Sequence, residues 1–199
     1  MNSDHESRDA AHFQRIYEAS PDPWRFRTSV YEQAKYRRTV ASLVDRRFRS
    51  GLEAGCSIGV LTRLLAGRCD RLLAVDIVDA PLSLARKACA DQPWVRFEQK
   101  QLPDEWPGEL FDLIVLSEVL YFLSPADIAK VADLVCATLD EEGMVLSVNW
   151  RGRSDDPTNG DEAAGIFIDR AARCLSVRMQ HHEDMYRLDL LSRTRPCGG

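Results

Sequence analysis

The chain has 199 residues, of which 45% are hydrophobic and 29% charged, and its formal net charge is -5. This length predicts one domain that can form a sizeable hydrophobic core, and the composition excludes disordered and fibrous proteins. No apolar run approaches the ~20 residues of a membrane span, and the polar N-terminus lacks the apolar stretch of a signal peptide. We therefore expect no membrane association and a cytoplasmic location.

Six cysteines are spread along the sequence, and no two have the close spacing of a metal-binding pair. They lie at positions 56, 69, 89, 136, 174 and 197. Most fall within apolar periodic segments, where a free cysteine behaves as a small hydrophobe. We expect all six to be structural residues, with no disulfide framework and no bound metal.

The segment 25–49 is strongly basic, with eight lysines and arginines against only Glu32 and Asp45. Such a segment can attract an anionic partner, but it is also typical of the solvated face of a helix, which we favour. The sequence has no zinc-finger or RNP motif and no overall basic charge. We therefore expect no nucleic-acid partner.

In chain order, the first predicted elements are two helices separated by a break at Ser20-Pro21-Asp22-Pro23. Phe13, Ile16 and Tyr17 have helical spacing before the break. A second apolar pattern predicts a helix over 29–46, with Ser29 as its N-cap.

From residue 51 the pattern changes to short apolar runs that alternate with helical stretches. It predicts strands at 51–54, 72–75, 95–97, 113–116 and 144–148, and helices at 60–66, 81–90 and 125–139. This alternation is typical of a doubly wound, mainly parallel sheet.

The end of the chain differs, because two alternating segments at 175–179 and 186–190 are separated by only about six residues. A parallel crossover needs a dozen or more residues, so these strands must be antiparallel. The result resembles the class I methyltransferase fold, a three-layer αβα α/β architecture with a seven-stranded, mostly parallel sheet ending in an antiparallel hairpin. The turn-rich segment 149–164 is predicted to be a functional loop, and the tail from Ser192 is predicted to be disordered.

The segment 52–62 is the most informative stretch, since it predicts a strand, a tight turn of small residues and a helix. Gly55 and Gly59 allow the backbone to approach a ligand closely. Twenty-one residues after Gly55, Asp76 ends the second strand. A carboxylate there is placed to accept hydrogen bonds from two ribose hydroxyls.

A strand, a tight turn and a helix in this arrangement bind several classes of cofactor. The residues of the turn distinguish among these classes. The dinucleotide fingerprint needs glycines at 55, 57 and 60, but the chain has Ser57 and Val60, and a Gly-Lys-Ser/Thr phosphate loop is absent. The arrangement Glu53-x-Gly55-x-x-x-Gly59 instead resembles motif I of S-adenosylmethionine (SAM) methyltransferases, with Ser57 in place of the commoner middle glycine. The resemblance implies SAM as cofactor, S-adenosylhomocysteine (SAH) as product and no metal.

The resemblance also assigns residues to the cofactor after the third and fourth strands. Gln101 stands where the family usually has an acidic residue that binds the adenine amino group, and Leu102 is the neighbouring candidate for an adenine contact. Ser117 and Glu118 follow the fourth strand, at the position of the reacting end of the cofactor. Glu118 can equally be a charge that complements a helix N-terminus.

The N-terminal block Asp22-Pro23-Trp24-Arg25, followed by Tyr31-Glu32 and Lys35-Tyr36, is similar to nodulation protein S and its wider family of small methyltransferases. The resemblance runs from about residue 10 to 194 and includes Gly160-Asp161-Glu162. It implies one methyltransferase domain over 1–199, with an N-terminal helical cap at 1–48 that covers the cofactor, a SAM-binding core at 49–194 and a tail at 195–199. Its named member methylates the free amine of a terminal glucosamine on a deacetylated chito-oligosaccharide.

These observations predict a SAM-dependent N-methyltransferase acting on a small amine, such as an amino sugar or oligosaccharide. Because the amine must attack in its neutral form, Glu118, Tyr31 and Tyr121 are the candidates that accept its proton. The predicted cofactor-binding residues are Trp24, Arg25, Glu53, Gly55, Cys56, Ser57, Gly59, Asp76, Ile77, Gln101, Leu102 and Ser117. The alternatives are a catalytically silent SAM- or nucleotide-binding protein and a methyltransferase for another small molecule or a macromolecule. The oligomeric state is left open.

Overall fold

The computed structural model describes residues 6–43 and 46–194. Its helices are α1 Ala10–Ala19, α2 Val30–Ala41, α3 Val60–Ala66, α4 Asp79–Ala88, α5 Pro125–Thr138 and α6 Gly160–Ala171, with a 3-10 turn at Leu120–Phe122. Its strands are β1 Gly51–Ala54, β2 Leu72–Asp76, β3 Val95–Gln99, β4 Phe111–Ser117, β5 Leu139–Trp150, β6 Leu175–His182 and β7 Tyr186–Arg193.

The seven strands belong to one sheet in the order β3-β2-β1-β4-β5-β7-β6. Strands β1, β2 and β3 pair in parallel, as do β4 and β5. Strand β7 pairs antiparallel with both β5 and β6. The predicted mostly parallel sheet with a C-terminal antiparallel hairpin is confirmed.

Backbone contacts divide the chain into two compact units. The first unit, described over residues 8–43 and 46–106, contains α1 to α4 and β1 to β3; the second unit, described over residues 6–7 and 107–194, contains the remaining elements. The predicted division into a cap at 1–48 and a core at 49–194 stays a prediction.

Local sequence signals explain where four helices begin. The side chains of Asp9, Ser29, Ser124 and Asn159 each accept a hydrogen bond from a backbone N–H in the first helical turn. These are the residue types that satisfy the otherwise unpaired donors at a helix start. Ser29 is therefore confirmed as the N-cap of α2, and Pro125 occupies the first turn of α5, where a missing N–H costs nothing.

In the first unit, every residue of β1 and β2 is buried. Strands covered on both faces consist of continuous apolar runs, which is why these two were recognisable in the sequence. Their carboxyl ends carry the Gly55–Gly59 turn and Asp76, so the parallel pairing of β1 with β2 brings those two features to the same edge.

Most element boundaries differ from the predictions by up to three residues, and four differences are larger. Strand β5 begins at Leu139, where it pairs with Phe111 before a register shift, rather than at 144. Helix α6 was not predicted, and it shortens the predicted 149–164 loop to 151–159. Ser192 lies in β7, so the predicted disorder is wrong there, and residues 195–199 lie outside the described residues. Helix α2 ends at Ala41 rather than 46.

The expectation of six free cysteines is wrong for one pair, because Cys136 and Cys174 form a disulfide with a Cα–Cα distance of 6.1 Å. The two cysteines lie 38 residues apart, at the end of α5 and after α6, and only the packing of those helices brings them together. Cys56, Cys69 and Cys89 are free and buried, as expected. Cys197 lies outside the described residues.

No helix in the described part of the chain is long and apolar enough to span a membrane. Within the same residues, no group of three or more His, Cys, Asp or Glu side chains is arranged to hold a metal ion.

Candidate active site

The turn between β1 and α3 contains three left-handed residues at alternate positions. Gly55, Ser57 and Gly59 have φ angles of 75°, 48° and 81°. Glycine adopts this conformation without strain, whereas the Cβ of a serine makes the same conformation unfavourable. At Gly59 a Cβ would also lie 2.9 Å from atoms of Ala85 in α4, so glycine is required there twice over.

The carboxylate of Asp76 lies against this turn. Its Oδ2 accepts the Ser57 N–H at 2.8 Å, and its Oδ1 accepts the Val78 N–H at 3.1 Å. Burial raises the pKa of Asp76 to about 6, and the N–H groups of Val78, Ser57 and Ile77 oppose that shift. Each carboxylate oxygen keeps a second lone pair, so Asp76 can still accept two ligand hydroxyls.

Glu53, in β1, is buried below the turn. Burial raises the pKa of its carboxyl to about 8, the Thr62 side chain opposes that shift and the negative charge of Asp76 adds to it. Among the described residues, its Oε2 atom has no hydrogen-bond partner. A buried acceptor without a partner is costly, which makes Glu53 an available polar group beneath the turn.

Tyr17, in α1, is a site residue that the sequence did not reveal beyond its place in a helical pattern. Its hydroxyl lies 2.6 Å from the Ser57 Oγ, and both side chains are buried. Tyr17 packs in an apolar cluster with Ile58 and Val78, against which Ile77 also packs. The only signal in the sequence was the Phe13-x-x-x-Tyr17 spacing, which does not identify a partner 40 residues away.

The segment before α2 is held by Asp22. Its carboxylate accepts the N–H groups of Phe26 at 2.7 Å and Arg27 at 3.1 Å, which fixes a turn in which Arg25 has φ 58°. Trp24 stacks on Phe26 and contacts the Tyr17 ring edge-on. Both predicted cofactor residues of this segment, Trp24 and Arg25, are exposed.

Helix α2 carries a buried ion pair between Lys35 and Glu32, with 2.9 Å between Nζ and Oε2. The Lys35 ammonium also lies 5.3 Å from the centre of the Tyr31 ring, whose side chain is exposed. The basic segment is therefore not uniformly solvated, since Arg37 and Arg38 are exposed while Lys35 is buried.

Four predicted cofactor residues complete the first unit. The Ile77 carbonyl accepts a hydrogen bond from the Gln99 side chain at 3.0 Å. Gln101 is exposed, and its backbone N–H donates to Glu105 at 2.6 Å, while Leu102 is partly buried. Cys56 is buried, and its backbone N–H donates to Val75, as does that of Gly55.

In the second unit, Ser117 is the last residue of β4 and Glu118 follows it with φ 57°. The Oε2 atom of Glu118 accepts the Tyr121 hydroxyl at 2.8 Å and the Trp150 N–H at 3.1 Å. The structure thus joins two of the three predicted proton acceptors in one hydrogen-bonded group. Non-glycine residues held in the left-handed region are enriched at functional sites.

A second polar group lies where β7 and α6 meet. Arg187 binds Asp189 through two hydrogen bonds of 2.8 Å, and Gln180 donates to the same carboxylate. Arg151 donates to Asp161 at 2.8 Å, and Arg187 lies 3.6 Å from that carboxylate. Asp161, in the predicted functional loop, therefore has arginine partners.

The sheet order and the Gly55–Gly59 turn define the class I methyltransferase fold. A structure of NodS N-methyltransferase from Bradyrhizobium japonicum WM9 in complex with SAH has a TM-score of 0.79 and 22% identity, covering 92% of this chain and 97% of that one. A structure from Pseudomonas syringae, described as a candidate methyltransferase, has a TM-score of 0.73 and 37% identity, covering 83% of this chain and 100% of that one.

The family model of nodulation protein S (NodS) matches residues 8–145, and the chain belongs to this family. Nodulation protein S of Rhizobium tropici is 36% identical over 116 residues, which is 56% of this chain and 47% of that protein. The Bradyrhizobium diazoefficiens protein is 36% identical over 106 residues, 53% of this chain and 51% of that protein. The matched regions thus span about half the length of these curated relatives. The predicted family and fold class are confirmed.

Proposed function

We propose that this protein is a SAM-dependent N-methyltransferase whose acceptor is the amine of a small molecule. The observation that carries the proposal is the contact between the left-handed Ser57 and the Asp76 carboxylate at the carboxyl ends of β1 and β2. Open α/β sheets bind ligands at that edge. Membership of the NodS family supports the proposal, as does the structural similarity to the NodS N-methyltransferase of Bradyrhizobium japonicum.

The residues of the first unit fit a nucleoside-containing cofactor. Asp76 keeps lone pairs for two ribose hydroxyls, and Glu53 offers a buried polar atom without a partner in the described chain. We propose that Asp76, Glu53 and the Gly55–Gly59 turn hold SAM, together with the predicted contacts from Trp24, Arg25, Cys56, Ile77, Gln101, Leu102 and Ser117. When bound, SAM supplies a methyl group on a sulfonium, which is an activated leaving group.

In this proposal the chain aligns the acceptor and receives its proton. Positioning alone lowers such a barrier by up to about 7–11 kcal/mol in ideal cases. The Glu118 carboxylate is the proposed proton acceptor, because the Tyr121 hydroxyl and the Trp150 N–H fix one of its oxygens. Tyr121 is then a group that orients Glu118, and Tyr31 is a second proposed acceptor.

The acceptor class is proposed to be an amino sugar or a deacetylated chito-oligosaccharide, on the strength of the family and the turn-rich 151–159 loop after β5. A cytoplasmic location is proposed with it. Cell fractionation tests this location: recovery of the protein in the cytosolic fraction is expected, and recovery in the membrane or exported fraction would contradict it.

The experiment that tests the function is methyl transfer from labelled SAM to chito-oligosaccharides with a free terminal amine, against the same sugars N-acetylated. Label on the free amine alone is expected. Transfer to neither sugar would remove this acceptor class, and SAH binding with no transfer to any amine tested would favour a silent binding protein.

Glu118→Gln separates chemistry from cofactor binding. We expect kcat to fall by about 10²-fold, as for loss of a general base, with unchanged SAH affinity. Glu109→Gln, at an exposed glutamate, is the matched control and should keep full activity. Turnover of Glu118→Gln equal to the wild type would remove Glu118 from the reaction.

A further inference from the structure

Ser57 is the one left-handed residue of the β1–α3 turn that is not glycine. Its Cβ disfavours this conformation, so other contacts must hold it there. Two are present in the structure. The Ser57 N–H donates to Asp76 at 2.8 Å, and the Ser57 hydroxyl lies 2.6 Å from the Tyr17 hydroxyl.

Both contacts are made by Ser57, one through its backbone N–H and one through its hydroxyl. The Ser57 N–H points at Asp76 Oδ2 only while Ser57 keeps its left-handed backbone. If Ser57 rotated to an ordinary conformation, Asp76 would lose one of the N–H groups that orient its carboxylate. The conformation of Ser57 therefore sets the position of the carboxylate proposed to bind the ribose.

Tyr17 has little freedom to follow such a rotation. Its ring packs against Ile58 and Val78, and the Trp24 ring meets it edge-on, with 5.7 Å between the ring centres. Burial, with the nearby charge of Asp76, raises the pKa of Tyr17 well above its ordinary range, so its hydroxyl stays protonated. The Tyr17 hydroxyl is therefore a hydrogen-bonding group held in a fixed position on α1.

We infer that Tyr17 is a positioning residue for the cofactor: its hydroxyl holds Ser57 in the left-handed conformation and thereby sets the Asp76 carboxylate before SAM binds. The inference rests on the proposed function. It also explains how this chain keeps a serine in the left-handed conformation, since the hydroxyl contact offsets the strain of the Cβ.

The test measures SAH affinity by titration calorimetry, with thermal unfolding in parallel. Tyr17→Phe removes the hydroxyl alone and should weaken SAH binding about 3- to 10-fold, the size of one lost hydrogen bond. Ser57→Gly removes both the strain and the need for the contact, so its affinity should match the wild type. Ser57→Ala keeps the strain without the contact and should bind at least as weakly as Tyr17→Phe.

The decisive comparison is Tyr17→Phe in the Ser57→Gly background, where it should have no effect on SAH affinity. Tyr186→Phe, at a buried tyrosine of β7, controls for the general loss of a buried hydroxyl and should leave SAH affinity unchanged.

If Tyr17→Phe lowers the unfolding temperature equally in both backgrounds and leaves SAH affinity unchanged, Tyr17 is only structural and the inference is wrong. An equal loss of affinity in both backgrounds also overturns it. If the wild-type protein does not bind SAH, the proposed function fails, and this inference fails with it.

Discussion

Backbone N–H groups orient the Asp76 carboxylate of the first unit, whereas arginine side chains hold the Asp189 and Asp161 carboxylates of the second. Asp76 is oriented by the N–H groups of Ser57 and Val78, in a turn that three left-handed residues define. In the second unit, Arg187 binds Asp189 within a single strand, and Arg151 binds Asp161 across a loop.

This difference indicates how a substitution should affect binding or folding in each part of the molecule. A backbone-held site depends on a few residues close together in sequence, and changing one should alter binding more than folding. A buried charge pair depends on its partner, and removing one member leaves the other charge without compensation in the interior.

The largest expected effect is on cofactor binding in Asp76→Ala. Two hydroxyl hydrogen bonds to an ionised carboxylate contribute about 1.5–3 kcal/mol each, so SAH affinity should fall by 10²-fold or more. Because alanine also leaves two buried N–H groups unpaired, Asp76→Asn should be measured beside it. The control is Asp79→Ala, an exposed carboxylate of α4 that should leave calorimetric affinity unchanged. Wild-type affinity in both Asp76 variants would show that the cofactor lies elsewhere.

Arg187→Leu should act on stability. Asp189 is fully buried, and removing its bidentate partner should lower the free energy of unfolding by about 3–5 kcal/mol in urea titrations. The double variant Arg187→Leu/Asp189→Leu removes both charges and should recover much of that loss. A single variant as stable as the wild type would mean that the pair is not desolvated in solution.

Opening the disulfide should also lower stability. Replacing Cys136 and Cys174 by serine frees a long loop in the unfolded chain and should reduce the free energy of unfolding by about 2–4 kcal/mol. Reductant should have the same effect on the wild type and none on the double variant. Equal stability with and without reductant would contradict a formed disulfide.

The smallest expected effect, taken per unit of pH, is the pH dependence due to Glu53. Its pKa of about 8 in the folded protein exceeds the ordinary 4.5, so the folded state binds more protons and stability falls as pH rises from about 4.5 to 8. One proton contributes at most about 1.4 kcal/mol per pH unit. Glu53→Gln should flatten the decline of the thermal midpoint between pH 6 and 8.5, whereas an unchanged slope would show that Glu53 is not buried as a neutral acid.

The first unit was largely predictable because its signals are local. The strand at 51–54 and the helix at 60–66 were predicted at their observed bounds, and Asp76 was identified by its offset from Gly55. The parallel pairing of β1 with β2 then confirmed that the turn and Asp76 meet. By contrast, helix α6 was missed because the turn residues before it concealed its N-cap, Asn159.

The sequence alone determined the alternation of strands and helices from β1 to β5, the antiparallel hairpin and the spacing that marks a cofactor turn. These depend on hydrophobic period, turn chemistry and loop length, which act between neighbours in the chain. Only the tertiary structure decided the Tyr17–Ser57 contact, the Glu118–Tyr121–Trp150 group and the Cys136–Cys174 bond. Each of these contacts forms only when the folded backbone brings its groups together, and no local sequence pattern predicts the pairing.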